Sequence, residues 1–201
     1  SRQEYRVIAI GEGIESLPSQ TLISATRPAA PTGLSARPAS ARQVDLAWTD
    51  ASAGETGFRV DRSTDGKVWA SAAQVTASTH ADLGLAEHAR YHYRIVALSV
   101  AGDSEPSTPA QAVTLLAEPG APAAAAKSPS EIVLSWRDQS AAESGYLVER
   151  APDQSGAAGA WKDLARLPAG VAEHADLALP SSTRFWYRVR AVAGNESSLP
   201  A

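Results

Sequence analysis

The sequence predicts an all-β chain of antiparallel β-sandwiches in tandem, and three observations carry that expectation. Apolar residues recur with period two in short runs, turn signals separate the runs, and the whole pattern repeats along the chain. Successive side chains of a strand point to opposite faces, so period two marks one buried face. Short strands at regular spacing argue for a sandwich, and an internal repeat argues for more than one.

The repeat is read directly from the residues. Trp48-Thr49-Asp50, followed by Gly57-Phe58-Arg59-Val60-Asp61-Arg62, matches Trp136-Arg137-Asp138, followed by Gly145-Tyr146-Leu147-Val148-Glu149-Arg150, without a gap. His80-Ala81-Asp82-Leu83 returns as His174-Ala175-Asp176-Leu177. The second copy is longer between Arg150 and Trp161, where residues 153–159 read as an extended flexible loop. A third element occurs in three places: Tyr5-Arg6-Val7-Ile8-Ala9, Tyr93-Arg94-Ile95-Val96-Ala97 and Tyr187-Arg188-Val189-Arg190-Ala191. Each is followed by a Gly-containing turn and a Ser-rich stretch.

Within each copy the strands follow in order. Val44, Leu46 and Trp48 share one face, as do Ile132, Leu134 and Trp136 in the next copy. Phe58 with Val60, and Tyr146 with Val148, form the next inward sets. Tyr91, Tyr93 and Ile95 face inward opposite His92 and Arg94. Turns are expected at residues 50–57, 65–66, 85–88 and 101–103. The alanine run 123–126 lies between Pro122 and Pro129, too short and too broken to nucleate a helix.

Proline-rich joints at Arg27-Pro28-Ala29-Ala30-Pro31 and Glu118-Pro119-Gly120-Ala121-Pro122 divide the copies and read as short, semi-rigid linkers. The expected organisation is therefore a partial module over residues 1–27, a complete module over 28–117, and a module over 118–201 lacking most of its last strand. That arrangement carries the expectation that the parent chain extends in both directions, because a lone hairpin is marginal in water.

Composition agrees with this plan. At 201 residues the chain accommodates two modules of about 100 residues. Its 44% hydrophobic fraction leans on alanine, with two Phe, no Met and five Trp, so each core must be organised around a few large side chains. Eighteen basic and 22 acidic residues give a net charge of -4 without a basic run, which argues against nucleic-acid binding by phosphate neutralisation. The absence of cysteine excludes disulfides and thiolate chemistry. No stretch approaches the roughly 20 apolar residues that span a bilayer, and residues 1–10 have no signal-peptide layout.

These residues resemble the fibronectin type III family, in the style of bacterial surface and secreted proteins. The carriers are Trp48 and Trp136 of the second strand, the Gly-aromatic-x-Val-x-Arg third strand, and the spacing from Leu85 to Tyr91 before Tyr93-Arg94-Ile95. The resemblance implies immunoglobulin-like β-sandwiches whose structural core includes Trp48, Trp136, Tyr91, Tyr93, Phe185 and Tyr187. It further implies that Tyr91 ties down the preceding loop through its hydroxyl. Phe185 occupies that place in the last copy and has no hydroxyl, so the loop at 180–183 should be looser. Hydrogen exchange at 180–183 is expected to be faster than around Glu87, and equal protection would contradict this. Alanines also stand where Leu34 supplies bulk to the first strand of the middle copy. A buried leucine's volume is worth about 2–5 kcal/mol, so the last module should be the less stable.

Few residues suggest chemistry. His80 with Asp82, and His174 with Asp176, form the best acid/base or metal pair, but a metal site needs three or four convergent ligands. Their recurrence favours a structural role in every module. Asp61 with Arg94 and Glu149 with Arg188 are expected to be exposed cross-strand ion pairs worth at most about 1 kcal/mol. Trp69 and Trp161 are the candidate contacts for a sugar or a protein partner. Asn195-Glu196-Ser197 has glycosylation spacing, and Gly11-Glu12-Gly13 opens no helix and so makes no phosphate cradle. No catalytic, metal or cofactor set emerges.

The leading expectation is a non-catalytic spacer or stalk, secreted or on a cell surface, with filament formation as an extension of that role. Its partners would be neighbouring modules of the same chain, other copies of the chain, or a polysaccharide. The alternatives are a carbohydrate- or protein-binding module and an accessory region of a secreted polysaccharide-degrading enzyme. Nucleic acid and membrane insertion are not expected.

Overall fold

The structure is a computed structural model that describes residues 2–201. All of its regular elements are strands, and among the described residues no helix is long and apolar enough to cross a membrane. By contacts the chain forms two compact units: Ser1–Ala36, Asp45–His80 and Tyr91–Gln111 make the first, and Arg37–Val44, Ala81–Arg90 and Ala112–Ala201 the second.

The opening segment holds β1 (Arg2–Tyr5), β2 (Ile10–Gly11), β3 (Ile14–Glu15) and β4 (Leu22–Ala25), with β1 paired to β4 and β2 to β3. Next come β5 (Thr32–Ser40), β6 (Gln43–Thr49), β7 (Gly57–Ser63), β8 (Ala70–Val75), β9 (Thr79–Leu83), β10 (Arg90–Leu98) and β11 (Ala110–Val113). They form a three-stranded sheet β5-β6-β9 and a four-stranded sheet β11-β10-β7-β8. The remaining strands are β12 (Gly120–Ser128), β13 (Glu131–Arg137), β14 (Gly145–Gln154), β15 (Ala157–Ala158), β16 (Lys162–Pro168), β17 (Glu173–Asp176), β18 (Phe185–Ala193) and β19 (Glu196–Ser197). Their sheets are β12-β13-β17 and β15-β14-β18-β19, with β16 also on β14.

Period two translates into burial. Val44, Leu46 and Trp48 on β6 are buried while Asp45, Ala47 and Thr49 are exposed, and Leu134 and Trp136 repeat this on β13. Each indole meets an aromatic ring of the following strand: Trp48 lies edge-on to Phe58 at 5.5 Å, and Trp136 lies tilted against Tyr146 at 5.5 Å. In the second unit Trp136 packs with Leu116, Leu134, Tyr146, Val148, Val189 and Ala191, flanked by half-buried Tyr187. Tyr91 and Tyr93 are buried on β10. Phe185 is half-buried beside Tyr187, their ring centres 6.5 Å apart.

Two glycines at matching places set the spacing of β7 and β14. A methyl group on Gly57 would come 2.7 Å from the Val75 carbonyl oxygen, and one on Gly145 would overlap the Leu167 carbonyl oxygen. The partner strand's backbone occupies the space a Cβ would need. Gly145→Ala should therefore destabilise the chain by about 1–3 kcal/mol, read from urea denaturation; a neutral effect would show that β16 yields without cost.

The Ser-rich stretches turn out to be side-chain ladders. Ser104 and Ser107 flank Pro106; their N–H groups donate to the Ala97 and Ile95 carbonyls, and their hydroxyls accept from the Ala97 and Ile95 N–H groups at 2.9 and 3.0 Å. Ser16 and Ser19 do the same for Ala9 and Val7, and Ser198 for Ala191. Proline has no N–H to donate and interrupts the ladder, and beside it each serine both donates through its N–H and accepts through its hydroxyl.

Three expectations need correction. The joint at 118–122 is not wholly a linker, because Gly120, Ala121 and Pro122 already belong to β12, with a register shift between Gly120 and Ala123 where the proline interrupts pairing. Leu34 is half-buried rather than a full core residue, which shrinks the penalty expected for the alanines of β12. The repeated strand at residues 5–9 ends at Tyr5, where among the described residues β1 pairs with β4 alone, whereas β10 pairs with β7 as far as Leu98. Tyr5, Val7 and Ile8 are accordingly exposed.

Around Glu87 the Thr114 hydroxyl donates to the Ala86 carbonyl at 2.7 Å and accepts from the Ala89 N–H at 3.0 Å. At 178–184 the positive φ at Ala178 and Ser182 matches that at Gly84 and His88, and the difference lies in the Thr183 hydroxyl, which among the described residues bonds locally, to the Ser181 carbonyl.

Candidate functional site

The residues that carry charge and aromatic surface assemble into one arrangement, built in both units. Antiparallel register sets Arg94 opposite Asp61 and Arg188 opposite Glu149. In the second unit Arg188 Nη2 lies 2.6 Å from Glu149 Oε1, Arg188 Nε 2.7 Å and Arg190 Nε 3.0 Å from Oε2. The Arg188 guanidinium stacks on the Trp161 ring at 4.2 Å. In the first unit Asp61 accepts from Arg94 Nε at 3.1 Å and Arg59 Nε at 2.9 Å, and Arg94 stacks on Trp69 at 4.6 Å. Arg59 also reaches Asp103 at 3.0 Å.

This corrects the expectation of exposed ion pairs. Asp61 and Glu149 do point away from the aromatic core, as period two requires, yet both are buried. Two arginines close over each carboxylate and an indole covers one of those arginines. The Arg188 hydrogen bond, with help from Arg190, holds the Glu149 carboxyl below its usual range against the opposing effect of burial. The same contact raises Arg188, so both partners are charged at neutral pH.

Trp69 and Trp161 are thus half-buried, each with a ring face taken by a guanidinium. Cation–π stacking of this kind is worth roughly 0.5–2 kcal/mol and gives both rings a structural use. Trp186, which the sequence reading passed over, is the exposed indole, at 39%. Its Nε1 donates to Asp153 Oδ1 at 2.7 Å, tying it to the lengthened loop. Alternation was the available signal, since residue 186 is outward wherever Phe185 and Tyr187 are inward.

Asp176 is buried and accepts from Arg150 Nη1 at 3.0 and 2.9 Å and from the Tyr187 hydroxyl at 2.8 Å. Burial and the Asp176 charge push the Tyr187 hydroxyl pKa up. Arg150 also lies over the Phe185 ring at 4.9 Å, as Arg62 lies over Tyr91 at 5.7 Å. The aspartate of the His174–Asp176 pair is therefore occupied by an arginine and a tyrosine, and among the described residues no group of three or more His, Cys, Asp or Glu is placed to hold a metal.

Residues 29–113 match the family model of the fibronectin type III domain. Among solved structures, a segment of two fibronectin type III domains from chicken tenascin is 16% identical, with a TM-score of 0.53 over 85% of this chain and 95% of that one. The FN1–FN3 domains of chicken CNTN1 are 22% identical, covering 100% of this chain and 75% of that one at a TM-score of 0.42. No curated protein matches the chain. The fold is an all-β tandem of immunoglobulin-like sandwiches, within which residues 29–113 are similar to the fibronectin type III domain.

Proposed function

We propose that the chain is a non-catalytic spacer or stalk of fibronectin type III repeats in a larger extracellular or cell-surface protein, with neighbouring modules or other copies of the chain as its partners. The observation that carries this is the use made of the recurring polar residues. Asp61, Glu149 and Asp176 are each buried, and each is bound to arginine or tyrosine of its own unit. Side chains that hold strands together in every copy serve a repeated mechanical part better than a single reaction centre. Single-molecule stretching should show separate, reproducible unfolding events and refolding on release; one unresolved low-force event would sink the reading. Nucleic acid and bilayer insertion form no part of it.

A binding role is favoured by one feature, the exposed Trp186 beside the loop at 153–159. Polysaccharide or protein recognition there would show on a glycan or partner array and be abolished by Trp186→Ala. Loss with Trp161→Ala alone would instead move the contact to the stacked indole. Secretion beside a polysaccharide-degrading domain is compatible with either reading.

A further inference from the structure

We propose that Glu87 is an acid-released latch holding the turn at 138–144 against residues 84–89 and 115–118, all within the second unit. Its Oε1 accepts from the Ala141 N–H at 2.5 Å, and its Oε2 from the Ala117 N–H at 2.8 Å and the Ser140 hydroxyl at 3.1 Å. Three donors converge on one carboxylate, and they come from two separate stretches of chain. Leu116, next to Ala117, is buried in the Trp136 cluster, and the His88 N–H donates to the Leu115 carbonyl at 3.1 Å, so the stretch that supplies Ala117 is itself anchored.

The matching turn in the other copy shows the released arrangement. Ser52 and Ser140 sit in the same local geometry, their N–H groups bonded to Asp50 and Asp138 at 3.1 and 3.2 Å. The Ser52 hydroxyl, however, donates to Glu55 of its own turn at 3.2 Å. Glu143 stands where Glu55 does, and its Oε2 is buried with no hydrogen-bond partner among the described residues. Ser140 thus has two carboxylates within the reach of its turn and uses the one supplied by Glu87. Opening the latch returns the hydroxyl to Glu143, giving the turn two discrete states.

Protonation selects between them. Burial pushes the Glu87 carboxyl up, but the Ala141 and Ala117 N–H groups and the Ser140 hydroxyl together pull it below the ordinary glutamate range, and Arg42 favours its charge further. A depressed carboxylate contributes fully above its unfolded value and loses that contribution as pH falls through the folded one. Asp138, Glu143 and the Tyr146 hydroxyl face the site from the turn, and His88 lies beside it, paired with Glu196 at 2.9 Å.

Amide NMR of the full chain tests this. From neutral pH to about pH 3, the Ala141 and Ala117 amide protons should move together with one midpoint below that of a free glutamate. In Glu87→Ala both should exchange about tenfold faster, the loss of a charge-assisted hydrogen bond. The Glu143 carboxyl carbon should shift at the same time, while the Leu134 and Val189 amides stay put. Glu87→Gln, which keeps the shape, should abolish the shared titration and provides the readout if the alanine variant fails to fold. Separate midpoints for Ala141 and Ala117, or a shared titration surviving in Glu87→Gln, would overturn the latch; an unmoved Glu143 carbon would overturn the exchange of partners.

Discussion

Trp136→Ala should lower the stability of the second unit by about 3–5 kcal/mol, the range for truncating a large aromatic in a packed core. The indole is only 6% exposed, lies against Tyr146, and contacts the inward residues of β13, β14 and β18, so no surface group is placed to fill the void. Trp136→Phe should cost less than half as much. The Trp136 Nε1 is buried without a hydrogen-bond partner among the described residues, an arrangement that itself costs roughly 1–3 kcal/mol, and phenylalanine removes that donor while keeping a ring. Trp48 Nε1 is in the same position, so the contrast should recur in Trp48→Phe. Urea denaturation followed by NMR signals of β13 and β18 separates this core from the rest of the chain. A phenylalanine as damaging as alanine would mean that the indole nitrogen has a partner in solution.

Glu149→Ala comes next in expected size. It leaves Arg188 and Arg190 facing each other across an empty place, with Arg188 no longer held against Trp161. Breaking a buried pair costs about 3–5 kcal/mol, but both arginines keep roughly a quarter of their surface in water, so about 2–3 kcal/mol is expected. The pH dependence has a definite sign. Glu149 is held below its usual range, so its contribution is complete at neutral pH and disappears as the solution is acidified through the depressed value. Stability of the native chain should fall more steeply below about pH 4 than that of Glu149→Gln, which has no charge to lose. Parallel acid curves for the two proteins would show that the arginines do not depend on the carboxylate.

The inward faces were legible because alternation belongs to the chain itself. Val44, Leu46 and Trp48 needed no knowledge of their neighbours to be assigned to one side, and the repeat then located Leu134 and Trp136. Serine function was legible only as composition. Ser104 and Ser107 announce a Ser-rich stretch, but their hydroxyls matter because Pro106 interrupts the ladder opposite Ile95 and Ala97. Asp61 and Glu149 were placed on the correct face and given the wrong environment, since nothing local records that two arginines and an indole will close over them.

What the amino-acid order determined by itself was the all-β class, the tandem plan, and the partners Arg94 and Arg188, all consequences of side-chain period and of copies that share it. Which polar groups are buried was decided only in three dimensions. The same was true of which carboxylate Ser140 meets and which indole stays in water. Those outcomes depend on residues brought together from different strands and turns, and burial is a property of the neighbours that cover a side chain, not of the side chain.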